Sequence, residues 1–306
     1  MHTWKDSGAR YHLVDTPEKR AALIQTLASA SELCIDTETT DTDPMRATLV
    51  GMSFAISEGE AWYVPVGDDP CGVAGAFKAV LENPATLKIG QNMKYDLQVL
   101  RSCGIRLAGP MFDTMIAHYL LHPEMRHGMD YLAEAYLNYQ TIHIEELIGT
   151  GKRQRSMADV PAQDVCPYAA EDADVTLRLR NVFAPQLEAE GCTALFRDIE
   201  MPLMPVLAQM ERNGVRIDTQ GLEETSALYT RQMQQMEQEI HEMAGMQFNV
   251  SSPRQVGEVL FDQLHLSSKA KKTKTGQYVT SEEVLESLRP KHPIVGKILE
   301  YRGLKK

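Results

Sequence analysis

Hydrophobic residues recur at two spacings, and these spacings predict alternating strands and helices up to about residue 190. Short apolar runs between turn residues predict strands at 33–35, 49–56, 61–66 and 86–89. Helices are predicted at 73–81, 92–103, 113–122, 129–137 and 164–189. Thr16 followed by Pro17 predicts the start of an earlier helix. A strand hairpin followed by helices and a further strand predicts an α/β domain with a mixed central sheet.

The pattern changes near residue 190, where long and mostly polar helices are predicted. One helix should end at Gly214, since glycine is a common helix C-terminal signal. From Thr219 to Ala244 the chain is polar apart from a narrow apolar stripe at Met233, Met236, Ile240 and Met243. That spacing suits one side of a helical hairpin. We therefore predict two domains, residues 1–190 and residues 191–306, the second mostly helical.

Composition narrows the class of protein. The 306 residues are 43% hydrophobic, enough for a proper core. No apolar run approaches the roughly 18 residues of a membrane span, so no membrane partner is expected. The first residues lack the apolar segment of a signal peptide, which predicts a cytoplasmic protein. The five cysteines include no C-x-x-C pair and are predicted to be reduced, mostly buried thiols.

Charge is unevenly distributed along the chain. The formal net charge is −11, which by itself argues against a nucleic-acid partner. Residues 251–306, however, hold 11 Lys and Arg against 6 Asp and Glu, and include a basic loop at 269–276. A phosphate-binding surface could therefore lie on this part of the chain, while metal ions would offset acids clustered in a site. Net charge alone does not decide the partner.

Three short motifs carry four carboxylates and a phenol at spacings that suit a divalent-cation site. Asp36 and Glu38 lie two residues apart on a predicted strand, so both side chains point to the same face. Residues four apart share one face of a helix, and the chain has two such pairs: Asn92 with Asp96, and Tyr168 with Asp172. Like charges this close repel unless cations bind between them. Two Mg²⁺ or Mn²⁺ ions would neutralise the site and assist phosphodiester hydrolysis, with Tyr168 orienting the attacking water.

Each motif alone has a commoner structural explanation. An Asp-x-Glu pair at a strand end is usually a solvated loop or a helix cap, and the two helical pairs could reflect capping and surface polarity. The order and spacing of all three on an α/β scaffold are much harder to obtain by chance. The combination therefore favours a phosphodiesterase site over three unrelated polar features.

Other polar clusters carry weaker signals. Lys152, Arg153 and Arg155 either contact phosphates or form a solvated loop, and the solvated loop is the more frequent case. Asp113 is expected to cap a helix, with a role in the site as the alternative. Three histidines, His118, His122 and His127, show no metal-binding spacing and are expected in ordinary packing or surface positions.

The residues around the three motifs are similar to those of the DEDD exonuclease superfamily, Tyr subclass, and to the bacterial DNA polymerase I family, family A. The likeness covers Asp36-Thr-Glu-Thr-Thr40 and Gln91-Asn-Met-Lys-Tyr-Asp96, and continues through Glu211-Arg-Asn-Gly-Val215. It extends over essentially the whole chain. By this resemblance, residues 1–190 should form an RNase H-like 3′→5′ proofreading exonuclease domain. Residues 191–306 should begin the polymerase domain, with much of its helical thumb but neither palm nor fingers.

The resemblance implies a role for each residue. The ligands of two Mg²⁺ or Mn²⁺ ions would be Asp36, Glu38, Asp96 and Asp172. Asp36 would bridge both ions, Asp96 would act through water, and Glu38 and Tyr168 would position the nucleophilic water. The terminal nucleotides of a single-stranded or frayed DNA 3′ end would be contacted by Thr37, Gln91, Asn92 and Tyr95. Such a monomeric enzyme would proofread in DNA replication and repair, with duplex backbone held at the thumb.

Some features depart from the family pattern or from the leading hypothesis. Asp41-Thr42 stands where relatives usually have Gly-Leu, so the contacts with the terminal bases of the substrate should differ. Without palm carboxylates and fingers, this chain is not expected to polymerise. Apolar surface is expected at Met201, Leu203 and Leu207.

Two alternatives to the proofreading exonuclease remain. One is an RNA-processing exonuclease of the same superfamily, and the other is a non-catalytic structural module of a polymerase.

Overall fold

The computed structural model describes residues 1–305, which divide into two compact units. The first runs from Met1 to Gly214 and the second begins at Val215. The domain boundary predicted from the sequence lies after residue 190, whereas the units divide 24 residues later. Residues 191–214 belong to the first unit because Met201 and Met204 are buried there, and because Glu211 accepts a hydrogen bond of 2.7 Å from Gln98.

Six strands form one mixed sheet in the first unit: β1 (Arg10–Leu13), β2 (Glu32–Thr39), β3 (Leu49–Ser57), β4 (Glu60–Pro65), β5 (Leu87–Gly90) and β6 (Met111–Asp113). Their order across the sheet is β1-β4-β3-β2-β5-β6. The β2–β3 and β3–β4 pairs are antiparallel, and the β1–β4, β2–β5 and β5–β6 pairs are parallel. The predicted mixed sheet is confirmed. β1 and β6 were not predicted from the sequence.

Helices cover both faces of this sheet. They are α1 (Trp4–Ser7), α2 (Pro17–Ala28), α3 (Pro70–Ala76), α4 (Lys78–Leu81), α5 (Met93–Ser102), α6 (Thr114–Leu121), α7 (Met129–Leu132), α8 (Ile144–Ile148), α9 (Ala162–Ala189), α10 (Thr193–Leu195) and α11 (Met201–Asn213). Leu33 and Ile35 on β2 pack into one hydrophobic cluster, and Cys34 between them packs into another with α9. Because successive side chains of a strand point to opposite faces, the two clusters lie on opposite sides of the sheet.

Two helix predictions need correction. The helix predicted at 73–81 is two helices, α3 and α4, which meet at Phe77. Pro70 begins α3, and the carboxylate of Asp69 accepts a hydrogen bond from the backbone N–H of Gly72, so the helix begins earlier than the apolar pattern indicated. The helix predicted at 129–137 is α7 followed by a π-helical turn, Ala133–Leu137.

The prediction that all cysteines are reduced is wrong for one pair. Cys71 on α3 and Cys103, directly after α5, form a disulfide with their Cα atoms 4.7 Å apart. These residues are 32 positions apart in sequence and show no spacing motif. The pairing therefore depends on how α3 and α5 pack, which the local pattern could not reveal. Cys34 and Cys166 are buried free thiols, as expected, and Cys192 is free and partly buried.

The second unit is helical and has a hydrophobic core of its own. Its elements are α12 (Thr219–Ala244), α13 (Pro253–Gly257), a π-helical turn (Glu258–Gln263), α14 (Glu282–Leu288) and α15 (Pro293–Lys305). Ile240 is fully buried in this core, and Met233, Met236 and Met243 pack against it. The apolar stripe predicted for α12 is therefore the face that contacts the other helices of this unit.

The apolar surface expected on α11 is present in part. Leu203 and Leu207 are exposed, by 41% and 39% respectively, but Met201 is buried at 7% exposure in the cluster beside α9. None of the helices formed by residues 1–305 is both long and apolar enough to cross a membrane.

Candidate active site

The end of β2 holds the first two acidic residues. Asp36 and Glu38 lie two positions apart on this strand, so their side chains share one face of the sheet. Glu38 is buried and Asp36 partly exposed. The pairing of β2 with β3 shifts register between Glu38 and Thr39. The strand thus carries both carboxylates to the point where its regular ladder ends.

The long helix α9 supplies the next two residues. Tyr168 and Asp172 lie one helical turn apart and share one face of α9, which packs on β2 and β3. The structure brings Asp172 to the two carboxylates of β2. One carboxylate oxygen from each of Asp36, Glu38 and Asp172 lies within 4.8 Å of the other two. Among residues 1–305, this is the one group of acidic, histidine or cysteine side chains with such a geometry.

Asp96, the fourth predicted ligand, lies on α5 and outside this group of three. It is buried, and its Oδ1 accepts a hydrogen bond of 2.6 Å from the hydroxyl of Thr37, between the two acidic residues of β2. The negative charge of Asp36 raises the pKa of Asp96, after the larger effect of burial. Asp96 is therefore tied to β2 through Thr37.

The electrostatics of the site favour a bound cation. Burial raises the pKa of Asp36 to about 7. For Glu38 and Asp172, burial first and the charge of Asp36 second raise the pKa well above its ordinary range. Asp172 Oδ1 is buried and has no hydrogen-bond partner among residues 1–305. Carboxylate oxygens without protein donors are the ligands that hard divalent cations prefer.

The phenol of Tyr168 keeps its proton in this environment. Burial, followed by the charges of Asp172, Glu38 and Asp36, raises its pKa far above the usual range. A protonated phenol can donate a hydrogen bond but cannot act as a base. Tyr168 is thus suited to orienting a water molecule or a phosphate oxygen.

Asp36, Glu38, Tyr168 and Asp172 line a cavity of about 770 Å³. Its wall includes Asp36, Thr37, Glu38, Thr39, Thr40, Asp41, Thr42, Asn92, Tyr95, Ile144, Ile148, Gly151, Gln154, Arg155, Ser156, Met157, Tyr168 and Asp172. Three predicted substrate contacts, Thr37, Asn92 and Tyr95, are therefore at the cavity. Asp41 and Thr42 also line it. Asp41 is held there by Tyr95, whose hydroxyl donates to its backbone carbonyl.

Gln91, the fourth predicted substrate contact, does not line this cavity. Its amide nitrogen donates to the backbone carbonyl of His127 at 2.8 Å, and its amide oxygen accepts from the hydroxyl of Thr114. Asn92 follows it with φ of 61°, in the left-handed region, as the residue before α5. The Asn92 side chain is exposed at this turn. The Gln91 side chain instead makes both of its hydrogen bonds within the protein.

The carboxylate of Asp113 caps two helices. Its carboxylate accepts hydrogen bonds from the backbone N–H groups of Asn92 and Met93 at the start of α5, and of Met115 and Ile116 at the start of α6. The capping prediction is confirmed for α6. The second cap, on α5, was missed because it joins residues about 20 positions apart. It orients the helix that carries Tyr95 and Asp96.

The three histidines pack with aromatic side chains. The His118 ring is buried, and its Nδ1 is hydrogen-bonded to Nδ1 of His127 at 2.7 Å. Its Nε2 lies 2.9 Å from the hydroxyl of Tyr136. Burial, followed by the nearby His127 and His122, lowers the pKa of His118 to about 4. This is the packing arrangement that the sequence analysis expected.

The segment from α8 to Met157 was the part of the cavity wall that the sequence analysis missed. Ile144 and Ile148 on α8, and Gln154 to Met157 after it, all line the cavity. Of these residues, the sequence pointed only to Arg155, as one of three basic residues that could contact phosphate. No motif marks this segment, because its place at the site depends on α8 packing beside α9.

Comparisons with known proteins give two family matches and several similar sequences. A family described as "3'-5' exonuclease" matches residues 11–188, and "DNA polymerase family A" matches residues 219–306. DNA polymerase I of Pseudomonas aeruginosa is 41% identical over 299 residues, covering 93% of this chain and 33% of that protein. DNA polymerase I of Chloroflexus aurantiacus is 39% identical, covering 94% and 31% respectively. The chain thus spans about a third of the length of these curated relatives.

A solved structure shows the same fold. The chain is similar, with a TM-score of 0.73, to "POL domain of Pol1 from M. smegmatis complex with DNA primer-template and dNTP". The sequence identity is 24%, and the match covers 96% of this chain and 48% of the other.

Proposed function

Since this chain belongs to DNA polymerase family A and carries its 3′-5′ exonuclease domain, we propose that it removes nucleotides from DNA 3′ ends by a reaction that needs two divalent cations. The observation that carries the proposal is the convergence of Asp36, Glu38 and Asp172, whose oxygens lie within 4.8 Å of one another. Burial raises the pKa of all three carboxylates, repulsion by Asp36 raises those of Glu38 and Asp172 further, and bound cations would favour the charged forms. The family match supplies the substrate class.

The residues present fit Mg²⁺ or Mn²⁺. Asp36, Glu38 and Asp172 offer hard oxygen ligands, and Asp172 Oδ1 lacks any other partner among residues 1–305. Asp96, held through Thr37, would support a second ion through water. Two such ions would supply an activated water molecule and would stabilise the charge on the leaving oxygen of a phosphodiester.

The remaining roles belong to the protein itself. Tyr168 donates a hydrogen bond that orients the attacking water, and Glu38 accepts one from it. Thr37, Asn92 and Tyr95 contact the terminal nucleotides of a single strand at the cavity wall. Stacking and backbone contacts of this kind do not read sequence. In a full-length relative, this activity would proofread during replication and repair.

The experiment is digestion of a 5′-labelled single-stranded DNA in Mg²⁺. The native chain should give a descending ladder that disappears with EDTA. Asp36→Ala removes a metal ligand and should slow trimming by roughly 10²–10⁴. Asp68→Ala, which removes an exposed carboxylate outside the cavity, should trim at the native rate. Metal-independent trimming, or equal rates for the two variants, would refute the proposal.

The same assay tests the two alternatives. An RNA oligonucleotide of the same base sequence should be trimmed more slowly than the DNA if the polymerase-like residues define the substrate. Faster trimming of RNA would favour an RNA-processing exonuclease. The absence of any metal-dependent trimming of either strand would favour the structural module.

A further inference from the structure

One cation faces the acidic cavity. Of the residues that line it, Arg155 is the single Lys or Arg in the part of the chain that the structure describes. No carboxylate within residues 1–305 lies within 4 Å of its guanidinium, unlike that of Arg178 or Arg180. This cation on the wall of a cavity that also holds three clustered carboxylates therefore has no ion-pair partner within residues 1–305.

The guanidinium is held in a defined orientation. Its Nε and Nη2 both donate to the backbone carbonyl of Leu147, at 3.0 and 2.8 Å. The backbone N–H of Arg155 donates to the carbonyl of Ile148 at 3.0 Å, which fastens the loop to the end of α8. Nη1 has no partner among residues 1–305. One edge of the planar group is thus fixed by the protein, and the remaining N–H donors are free.

We propose that Arg155 binds a backbone phosphate of the substrate strand and positions that strand in the cavity. This inference rests on the proposed function. A polyanionic strand that approaches Asp36, Glu38 and Asp172 is repelled by them wherever no cation intervenes, and Arg155 supplies one on the cavity wall. Guanidinium suits this task because its donors match the oxygens of a phosphate and its orientation is already fixed. Arg155 is a positioning residue and takes no part in the proton transfers.

A purely structural role is the competing explanation, since the same contacts close the loop after α8. The two explanations differ in their effect on nucleic-acid binding. A phosphate contact contributes to the salt dependence of affinity, with a slope of about 0.7 per contact on single strands, whereas a loop contact does not. Arg153 provides the matched control, because it lies in the same loop and carries the same charge but does not line the cavity.

The first test measures binding of a 5′-labelled oligothymidylate without divalent cations, together with kcat and KM for trimming in Mg²⁺. Arg155→Gln should raise Kd and KM about tenfold at low salt, leave kcat within about twofold, and lower the salt slope by about 0.7. Arg155→Lys, which keeps the charge, should retain the native slope. Arg153→Gln should resemble the native chain. Equal effects of the two glutamine variants, or a fall in kcat at unchanged KM, would overturn the proposal.

A second test locates the phosphate. A methylphosphonate replaces one charged linkage of the oligothymidylate at each position in turn. In the native chain one position should cost about tenfold in affinity, and the same position should cost nothing further in Arg155→Gln. A loss that persists in Arg155→Gln would overturn the assignment. Because binding is measured without hydrolysis, a chain that binds the strand but does not trim it would refute the proposed function and leave this test intact.

Discussion

Tyr168 illustrates how the environment of one residue restricts its chemistry. Burial, followed by the three nearby carboxylates, raises the pKa of the phenol far above its usual range, so the hydroxyl keeps its proton. We predict that Tyr168→Phe, which keeps the ring and removes the hydroxyl, lowers kcat for trimming by about 10- to 100-fold with little change in KM. Steady-state kinetics on single-stranded DNA measures both constants.

Tyr119→Phe is the matched control for that substitution. Tyr119 is 55% exposed and lies outside the cavity, so removing its hydroxyl should leave kcat unchanged. If Tyr168→Phe instead changed KM alone, the hydroxyl would contact the substrate rather than orient water.

The raised pKa of Asp36 predicts a pH-dependent response to metal. Its pKa of about 7 in the folded protein lies above the ordinary value of 3.8, so the folded state binds more protons than the unfolded state between these values. Without divalent cations, this group therefore makes the free energy of unfolding fall as pH rises from about 4 to about 7. Cations compete with these protons. Mg²⁺ should thus raise Tm more at pH 8 than at pH 6.

Scanning calorimetry at constant ionic strength measures this difference. Mg²⁺ at about 100 times its Kd should add about 2.7 kcal/mol to the free energy of unfolding. Asp36→Asn, which cannot be deprotonated, should lose most of the Mg²⁺ effect at both pH values. An equal rise in Tm at pH 6 and pH 8 in the native chain would contradict the pKa assignment.

At the scale of elements, the carboxylate of Asp113 caps the first turns of both α5 and α6. Asp113 accepts hydrogen bonds from two backbone N–H groups of each helix start, and it is 1% exposed. Asp113→Ala would leave these buried donors without partners. We predict a loss of about 2–4 kcal/mol in the free energy of unfolding, measured by urea denaturation, since a single cap is worth about 0.5–2 kcal/mol.

Asp69 provides a single-cap comparison. It accepts one hydrogen bond, from the N–H of Gly72, at the start of α3. Asp69→Ala should cost about 1 kcal/mol. Equal losses for the two variants would show that Asp113 stabilises only one of its two helices.

The disulfide between α3 and the residue after α5 predicts how many cysteines of the unfolded protein react with a thiol reagent. Cys71 and Cys103 are paired, whereas Cys34, Cys166 and Cys192 are free. Protein unfolded without reductant should therefore react with a thiol reagent at three cysteines, and at all five after reduction. A loop of 32 residues closed by a disulfide is worth about 3–4 kcal/mol, so reduction should also lower Tm. Five reactive thiols before reduction would contradict the pairing.

At the scale of the whole molecule, burial is uneven between the two units. The sheet and α9 of the first unit are extensively buried, whereas residues 222–232 of α12 are all exposed, including Leu222 and Leu228. We predict that amides of residues 222–232 exchange with solvent much faster than those of β2, β3 and α9, with the rest of the second unit between them. Hydrogen exchange with mass spectrometry measures this order. Uniform protection would contradict it.

Much of the fold could be predicted because it depends on local spacing. The predicted span of α12 agrees with the structure, and that of α9 differs by two residues at its start. β1 and β6 escaped prediction, and their places in the sheet depend on their pairing partners. They hold their places through parallel pairing with β4 and β5, a contact between segments distant in sequence.

The sequence by itself determined which residues could share a face. The two-residue spacing of Asp36 and Glu38 and the four-residue spacing of Tyr168 and Asp172 follow from backbone periodicity, which is the same in any protein. Only the tertiary structure decided which faces meet. It placed Asp172 with the β2 carboxylates, bound Asp96 to Thr37, and brought Arg155 to the cavity. Those contacts depend on the packing of whole elements, and local spacing contains no information about that packing.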